Sequence, residues 1–248
     1  MWKEPKITFR IIRRCSFDCP GCSTFSTLTR KGAIRVRDFR KAVDILAMHE
    51  FRGTMNISGG EPTFHRGLPD IIRYASARLP SARIAVFTHG DWVGRRGWRR
   101  KLDRLAGGDN VLLRFSMDPQ HVQGAILASG SPLTDELEVS VERERMAKAR
   151  LFKDACTDGG IPFDFAFKGS SAQARRYLRE LGEVPVYLIR FRAEPDKRPK
   201  EPGFFAVDVQ EDSSILVYPS LGHIPAGEPL GGIETLPAAL ELNRKAVR

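Results

Sequence analysis

KITFRIIRRCSFDCPGC, residues 6–22, decides how this chain is built. Its first seven residues form a short run rich in β-branched and apolar side chains, the pattern of a strand. The chain passes straight from that run into a loop carrying Cys15, Cys19 and Cys22. Downstream, short apolar runs alternate with longer helical patterns, which predicts βα units on a parallel sheet. TMNIS (54–58), RIAVFT (83–88), VLLRFSM (111–117), IPFDFAF (161–167) and VPVYLIRF (184–191) read as the remaining strands. Helices are predicted over about 35–51, 67–79, 96–105, 134–157 and 171–182.

In a sheet of this kind, reactive residues gather just past the carboxyl ends of the strands. The cysteine loop follows the first strand and Gly59-Gly60-Glu61-Pro62 the second. Thr88-His89-Gly90 follows the third, Ser116 to His121 the fourth, Lys168-Gly169-Ser170 the fifth and Arg190 to Glu194 the sixth. All are expected at one mouth. Three thiolates on one short loop can hold three irons of a cubic iron–sulfur cluster and leave the fourth iron open. A structural zinc site would want a fourth cysteine or histidine at finger-like spacing. A plain electron carrier would use four cysteines per cluster.

The composition is that of a globular protein: 248 residues, 42% hydrophobic and 28% charged. No apolar run approaches the ~20 residues that span a bilayer, and the first residues lack a secretory pattern, so a cytoplasmic protein is expected. Clustered cysteines in such a setting favour metal over disulfides. The net charge is +10. Part of it lies in DWVGRRGWRRKLDR (91–104), read as a solvated helix face with Trp92 and Trp98 turned inward rather than as a nucleic-acid surface. Residues 193–203, rich in proline and charge, read as a linker. A small hairpin and a closing helix are expected beyond it.

A C-x3-C-x2-C loop after the first strand, with GGEP after the second, resembles the radical S-adenosylmethionine superfamily over about residues 6–192. The resemblance implies an α/β fold, a partial (β/α)6 TIM-like barrel over 1–198 with a small α+β extension over 199–248. It implies one [4Fe–4S] cluster on Cys15, Cys19 and Cys22, with S-adenosylmethionine chelating the open iron. Gly59, Gly60 and Glu61 match the segment that contacts the methionine amine. Ser116 and Asp118 fall where the family places polar contacts to ribose or carboxylate. Thr88 lies on the third rim segment, with His89 replacing an asparagine. Gly21 fills the slot before the third cysteine that is often aromatic. His121, Lys168 and Arg190 are the substrate-contact candidates on the rim, with Arg192 behind them.

The tail resembles a worn SPASM or twitch extension, with Ser220 in place of the cysteine that follows "YP" in those proteins. A single cluster favours a redox-neutral outcome on a sugar-like molecule or a peptide: epimerisation, elimination, rearrangement or cyclisation. Cys156, the one remaining thiol, reads as a buried structural residue. Alternatives are an activase that installs a glycyl radical on a partner protein, or a tRNA-modifying enzyme. The expected partners are the substrate and a reductant such as flavodoxin or ferredoxin, without nucleic acid or membrane.

Overall fold

A computed structural model describes residues 6–22, 24–168, 171–189, 205–210, 212, 215–219 and 228–238. Six parallel strands are laid down in chain order: β1 (Lys6–Arg10), β2 (Thr54–Ser58), β3 (Arg83–Thr88), β4 (Val111–Ser116), β5 (Phe163–Lys168) and β6 (Val186–Ile189). The helices between them are α1 (Val36–Met48), α2 (Leu68–Arg78), α3 (Trp98–Leu105), α4 (Pro119–Ala128), α5 (Asp135–Asp158) and α6 (Ser171–Leu181). β6 does not return to β1. Instead β1 pairs on its other side with β7 (Phe205–Val209), also parallel, so the barrel stays open. β8 (Ile215–Pro219) and β9 (Glu228–Gly231) extend the same sheet antiparallel.

Strand side chains alternate between two faces. Ile7, Phe9, Met55, Ile57, Ile84, Val86, Leu113, Phe115, Phe165 and Phe167 join the helices in one apolar core. Phe9 meets Phe39 of α1 at 4.9 Å between ring centroids, and Phe115 meets Phe152 of α5 at 5.1 Å. The intervening residues therefore line the concave face, where the polar Thr8, Asn56, Arg114, Asp164 and Tyr187 stand beside Ala85, Phe87, Leu112 and Ala166. Arg114 makes a two-pronged ion pair with Asp164, at 2.7 and 2.6 Å. Its guanidinium lies 3.6 Å from the Tyr187 ring centroid and 5.0 Å from that of Phe87. Lys6 of β1 reaches the Tyr187 hydroxyl of β6 at 3.3 Å, so side chains bridge the first and sixth strands where the backbone does not.

The predicted strands and helices are present, with ends shifted by a few residues. One helix was not expected. Residues 119–128 form α4, whereas the sequence places Ser116 to His121 on the rim after the fourth strand and predicts no helix before about 134. Pro119 supplies a pre-set first helical turn, but glutamines at 120 and 123 and Gly124 in the middle hide the buried pair Val122 and Ile126. His121 accordingly sits in the first turn of a helix, not on a loop. α5 begins as expected, with the Thr134 hydroxyl accepting from Leu137 N at 3.3 Å and acids at 135, 136 and 138. The hairpin of the tail is β7–β8. A short 3-10 turn, Ile233–Thr235, follows β9. The expected linker and the boundary at 198/199 lie outside the described residues, as does most of the expected closing helix. Among the described residues no helix is long and apolar enough to cross a membrane.

The Arg114–Asp164 pair gives a direct test of the concave face. Both side chains are buried, so Asp164→Ala strands a guanidinium away from water and should cost about 3–5 kcal/mol in chemical denaturation. The double variant Arg114→Met/Asp164→Leu should recover most of that loss.

Candidate active site

The mouth is organised around Glu61, which is 1% exposed. Its Oε1 accepts from the Thr88 hydroxyl at 2.8 Å and from Thr63 N at 3.2 Å, and its Oε2 from His89 N at 2.9 Å. One carboxylate thus ties the rim of β2 to the rim of β3. Thr88 Oγ1 in turn accepts from Trp92 Nε1 at 2.9 Å and from Gly90 N at 3.0 Å. Trp92 is buried for this purpose, and Trp98 packs against the core, in line with the inward reading of 91–104.

His89 continues the network to the cysteine loop. Burial lowers its pKa, against the opposing pull of Glu61, so the imidazole is neutral. Its Nδ1 accepts from Asp91 N at 3.2 Å, which leaves the proton on Nε2, 3.2 Å from Glu61 Oε2. The ring stacks on Phe17 at 4.0 Å. Phe17 lies between Cys15 and Cys19, so the loop is clamped from the side. It is also 6.1 Å from the ring of His121.

The cysteine loop sits on two close approaches. Gly60 N donates to Ile12 O at 2.6 Å and Glu61 N to Arg14 O at 2.9 Å. A Cβ at Gly59 would overlap the Ile12 carbonyl, and one at Gly60 the Arg14 carbonyl. Gly59 also has φ +131°, which side chains rarely adopt. On the far side, Asp18 N donates to Gly124 O at 2.9 Å, and a Cβ at Gly124 would lie 2.5 Å from Cys19 Sγ. Glycine in α4 makes room for the second cysteine.

Arg145 of α5 closes the arrangement. Its Nη1 donates to His89 O at 3.1 Å and its Nη2 to Ser116 O at 2.8 Å. The guanidinium lies 5.3 Å from the Phe17 ring. Burial pulls its pKa down, against the opposing charges of Cys19 and Asp118. A buried cation therefore joins the β3 and β4 rims beside the loop.

The family model of the Radical SAM superfamily matches residues 9–164, more than half of the chain. The chain belongs to the radical SAM superfamily. No curated protein sequence matches it. Among solved structures, it is similar to anSMEcpe with AdoMet bound, at TM-score 0.60 and 15% identity over 99% of this chain and 84% of that one. A second structure of anSMEcpe, with AdoMet and the Cp18Cys peptide, aligns at TM-score 0.57 and 16% identity over 98% and 84% of the two chains. Streptococcus suis SuiB bound to the precursor peptide SuiA aligns at TM-score 0.51 and 10% identity. That match covers 95% of this chain and 65% of SuiB. These likenesses carry the α/β partial-barrel fold. Together with the family match they make this protein a radical SAM enzyme, and the family implies a [4Fe–4S] cluster and S-adenosylmethionine.

The residues at the mouth suit such a cluster. Burial pushes the Cys15 thiol up to about 12, and charge on Glu61, Cys19 and Cys22 acts in the same direction. Cys22 Sγ lies 3.3 Å from Thr24 Oγ1. Among the described residues, no three His, Cys, Asp or Glu side chains converge as ligands of a single ion do. A cubane is different, because each cysteine takes its own iron.

The structure gathers Cys15, Cys19, Cys22, Glu61, Thr88, Ser116, Asp118 and His121 at the same end of the sheet. Glu61 and Thr88, expected as cofactor contacts, bond to each other. Gly21 is exposed beside Gln120 of α4. His121 Nδ1 lies 3.4 Å from Asp118 Oδ2. Thr63 Oγ1 is buried without a hydrogen bond among the described residues. Lys168 ends β5, and its side chain, like Arg190 and Arg192, lies outside the described residues. Cys156 is fully buried in α5, with its thiol pushed up to about 12. His65 Nε2 donates to Ile34 O at 2.8 Å while its Nδ1 accepts from Gly67 N at 3.1 Å, a structural role.

Sequence reasoning missed Phe17, Gly124 and Arg145. A signal for the last exists. Arg145 falls four residues before Ala149 and seven before Phe152, on the buried stripe of α5.

Two substitutions test the clamp. Gly124→Ala should lower iron retained after anaerobic reconstitution to well below that of the parent, with the helical circular dichroism unchanged. Arg145→Met leaves two buried carbonyls unpaired and should lower stability by about 2–4 kcal/mol in denaturant titration.

Proposed function

We propose that this enzyme holds a single cluster on Cys15, Cys19 and Cys22 and takes hydrogen from a peptide or a polar small molecule with a redox-neutral outcome. The observation that carries this reading is the distribution of thiols. The chain has four cysteines, three of them on one loop and the fourth, Cys156, sealed in the core. That leaves this chain no thiol set for a second cluster to accept an electron from the substrate radical. When bound, the cluster supplies the one electron that cleaves S-adenosylmethionine to a 5′-deoxyadenosyl radical able to attack an unactivated C–H.

In this reading, the backbone at Gly59 and Gly60 meets the cofactor's methionine end. Glu61 and Thr88 hold that edge in place from beneath, and Ser116 and Asp118 take the ribose or carboxylate side. Gly21 offers backbone to the adenine. His121, Lys168 and Arg190 contact the substrate. The polar groups on the concave face, Thr8, Asn56 and Tyr187 among them, suit a hydrogen-bonding substrate. The peptides bound by anSMEcpe and SuiB favour a peptide among polar candidates. A one-electron donor completes the system.

Anaerobic incubation with reductant and S-adenosylmethionine should release 5′-deoxyadenosine, and Cys19→Ala should reduce it to the level of an enzyme-free control. With deuterated candidate peptides and sugars, the label should appear in the nucleoside while the product keeps the oxidation level of the substrate. A product two hydrogens lighter than its substrate would refute the redox-neutral outcome.

A further inference from the structure

The concave face holds two buried carboxamides whose hydrogen bonding the fold leaves incomplete. Asn56 of β2 stands opposite Thr8 of β1, while its neighbours Met55 and Ile57 turn into the core. Its Nδ2 donates to Thr8 Oγ1 at 3.4 Å, and its Oδ1, shut off from water, accepts from no group among the described residues. Gln210 follows β7, on the other side of β1. Val209, which pairs with Phe9, belongs to the core, so the next residue turns to the concave face as Arg10 does. The Nε2 of Gln210 is likewise buried with no partner among the described residues. Asn56 is 8% exposed and Gln210 7%.

A buried polar atom without a partner destabilises a fold, and native proteins keep few of them. The strand charges on this face are engaged within the protein. Arg114 pairs with Asp164, Lys6 reaches Tyr187, and Arg10 is not free either. What stays open is therefore neutral: an acceptor on β2 and a donor just past β7, with β1 between them. Two strand spacings separate their backbones, about 10 Å. A peptide unit matches that arrangement, because its N–H and C=O point in opposite directions from one planar group. A hydroxyl gives and takes its hydrogen bonds at a single oxygen, and a carboxylate or ammonium would be buried with its charge unmatched. The depth also suits a substrate. Asn56 lies three residues before Gly59, about 10 Å further into the barrel along β2.

We propose that Asn56 and Gln210 bind the substrate and that the substrate is a peptide, with Asn56 Oδ1 accepting from a backbone N–H and Gln210 Nε2 donating to a backbone carbonyl. This deepens the functional reading above and rests on it. The hydrogen bonds missing from the free protein at these two atoms are made on binding, so they contribute affinity and fix the register of the peptide in the barrel. A buried group that needs a partner also rejects a substrate unable to supply one. The pair thereby selects amides over polyols.

The test gives the cluster-loaded enzyme, with reductant and S-adenosylmethionine, a pool of deuterated N-acetylated peptide amides and, separately, deuterated hexoses and aminohexoses. Mass spectrometry of 5′-deoxyadenosine reads the label, which should come from peptides and not from the sugars. With a responsive peptide, Asn56→Leu and Gln210→Met should each raise the half-saturating concentration about tenfold, while the rate at saturation changes far less. Replacing the peptide's amides by esters one at a time should find a position that weakens the parent about tenfold and hardly affects Asn56→Leu, the mark of a shared contact. Leucine leaves no acceptor unpaired, so the melting temperature of Asn56→Leu should rise, whereas loss of a purely structural carboxamide would lower it. Label from sugars alone, half-saturation unmoved in either variant, or a lower melting temperature for Asn56→Leu would each overturn the proposal. A parent that forms no 5′-deoxyadenosine under any condition overturns the functional reading itself. One that forms it yet takes no label from any peptide overturns the peptide assignment alone.

Discussion

A carboxylate with almost no access to water holds the mouth of this barrel together. An isolated charge in that position would be prohibitive. Glu61 tolerates it because a hydroxyl and two backbone N–H groups point at its oxygens, and charge strengthens each of those bonds. The consequence is geometric. Thr88 and His89 cannot shift without unpairing Glu61, and His89 carries Phe17 of the cysteine loop stacked on its ring. The placement of three thiols at the end of β1 therefore depends on a bond made between β2 and β3. The neutral state of His89 belongs to the same logic, since its single proton faces Glu61 while the other nitrogen accepts from the backbone.

The opposite side of the loop is fixed by packing rather than charge. Gly124 lets α4 touch Cys19, and the glycines after β2 let two backbones cross at hydrogen-bond distance. The carbonyl oxygens of Ile12 and Arg14, just past β1, fill the space where a side chain would be, so Gly59 and Gly60 are steric requirements of the loop itself. Arg145 then joins the two halves, from α5 to the rims of β3 and β4.

Much of this was legible in the sequence, for a definite reason. Strands buried on one face by helices and on the other by a barrel lumen give short β-branched runs, and those ended where read in β2 and β3. Rim residues follow from strand ends, so the thiols, Glu61, Thr88 and Ser116 were located with them. α4 was not legible, because a ten-residue helix with two glutamines and a glycine has little periodicity to show. Arg145 was hidden in VERERMAKAR, where one buried cation looks like its solvated neighbours. The pairing of Arg114 with Asp164 was hidden differently. It joins residues fifty positions apart on adjacent strands, and only register brings them opposite.

The loop thus works as a wall with two unlike faces. Inside lies a concave surface of polar and aromatic side chains whose charges are largely paired, as Arg114 is with Asp164. On the solvent side, Phe25 is exposed at φ +49°, and Arg30 and Lys31 have no ion-pair partner among the described residues. An electron has to enter such a site while water and oxygen stay out, and a substrate has to reach it from elsewhere. Opposite faces of one loop satisfy both demands at once, because the thiols between them are shared.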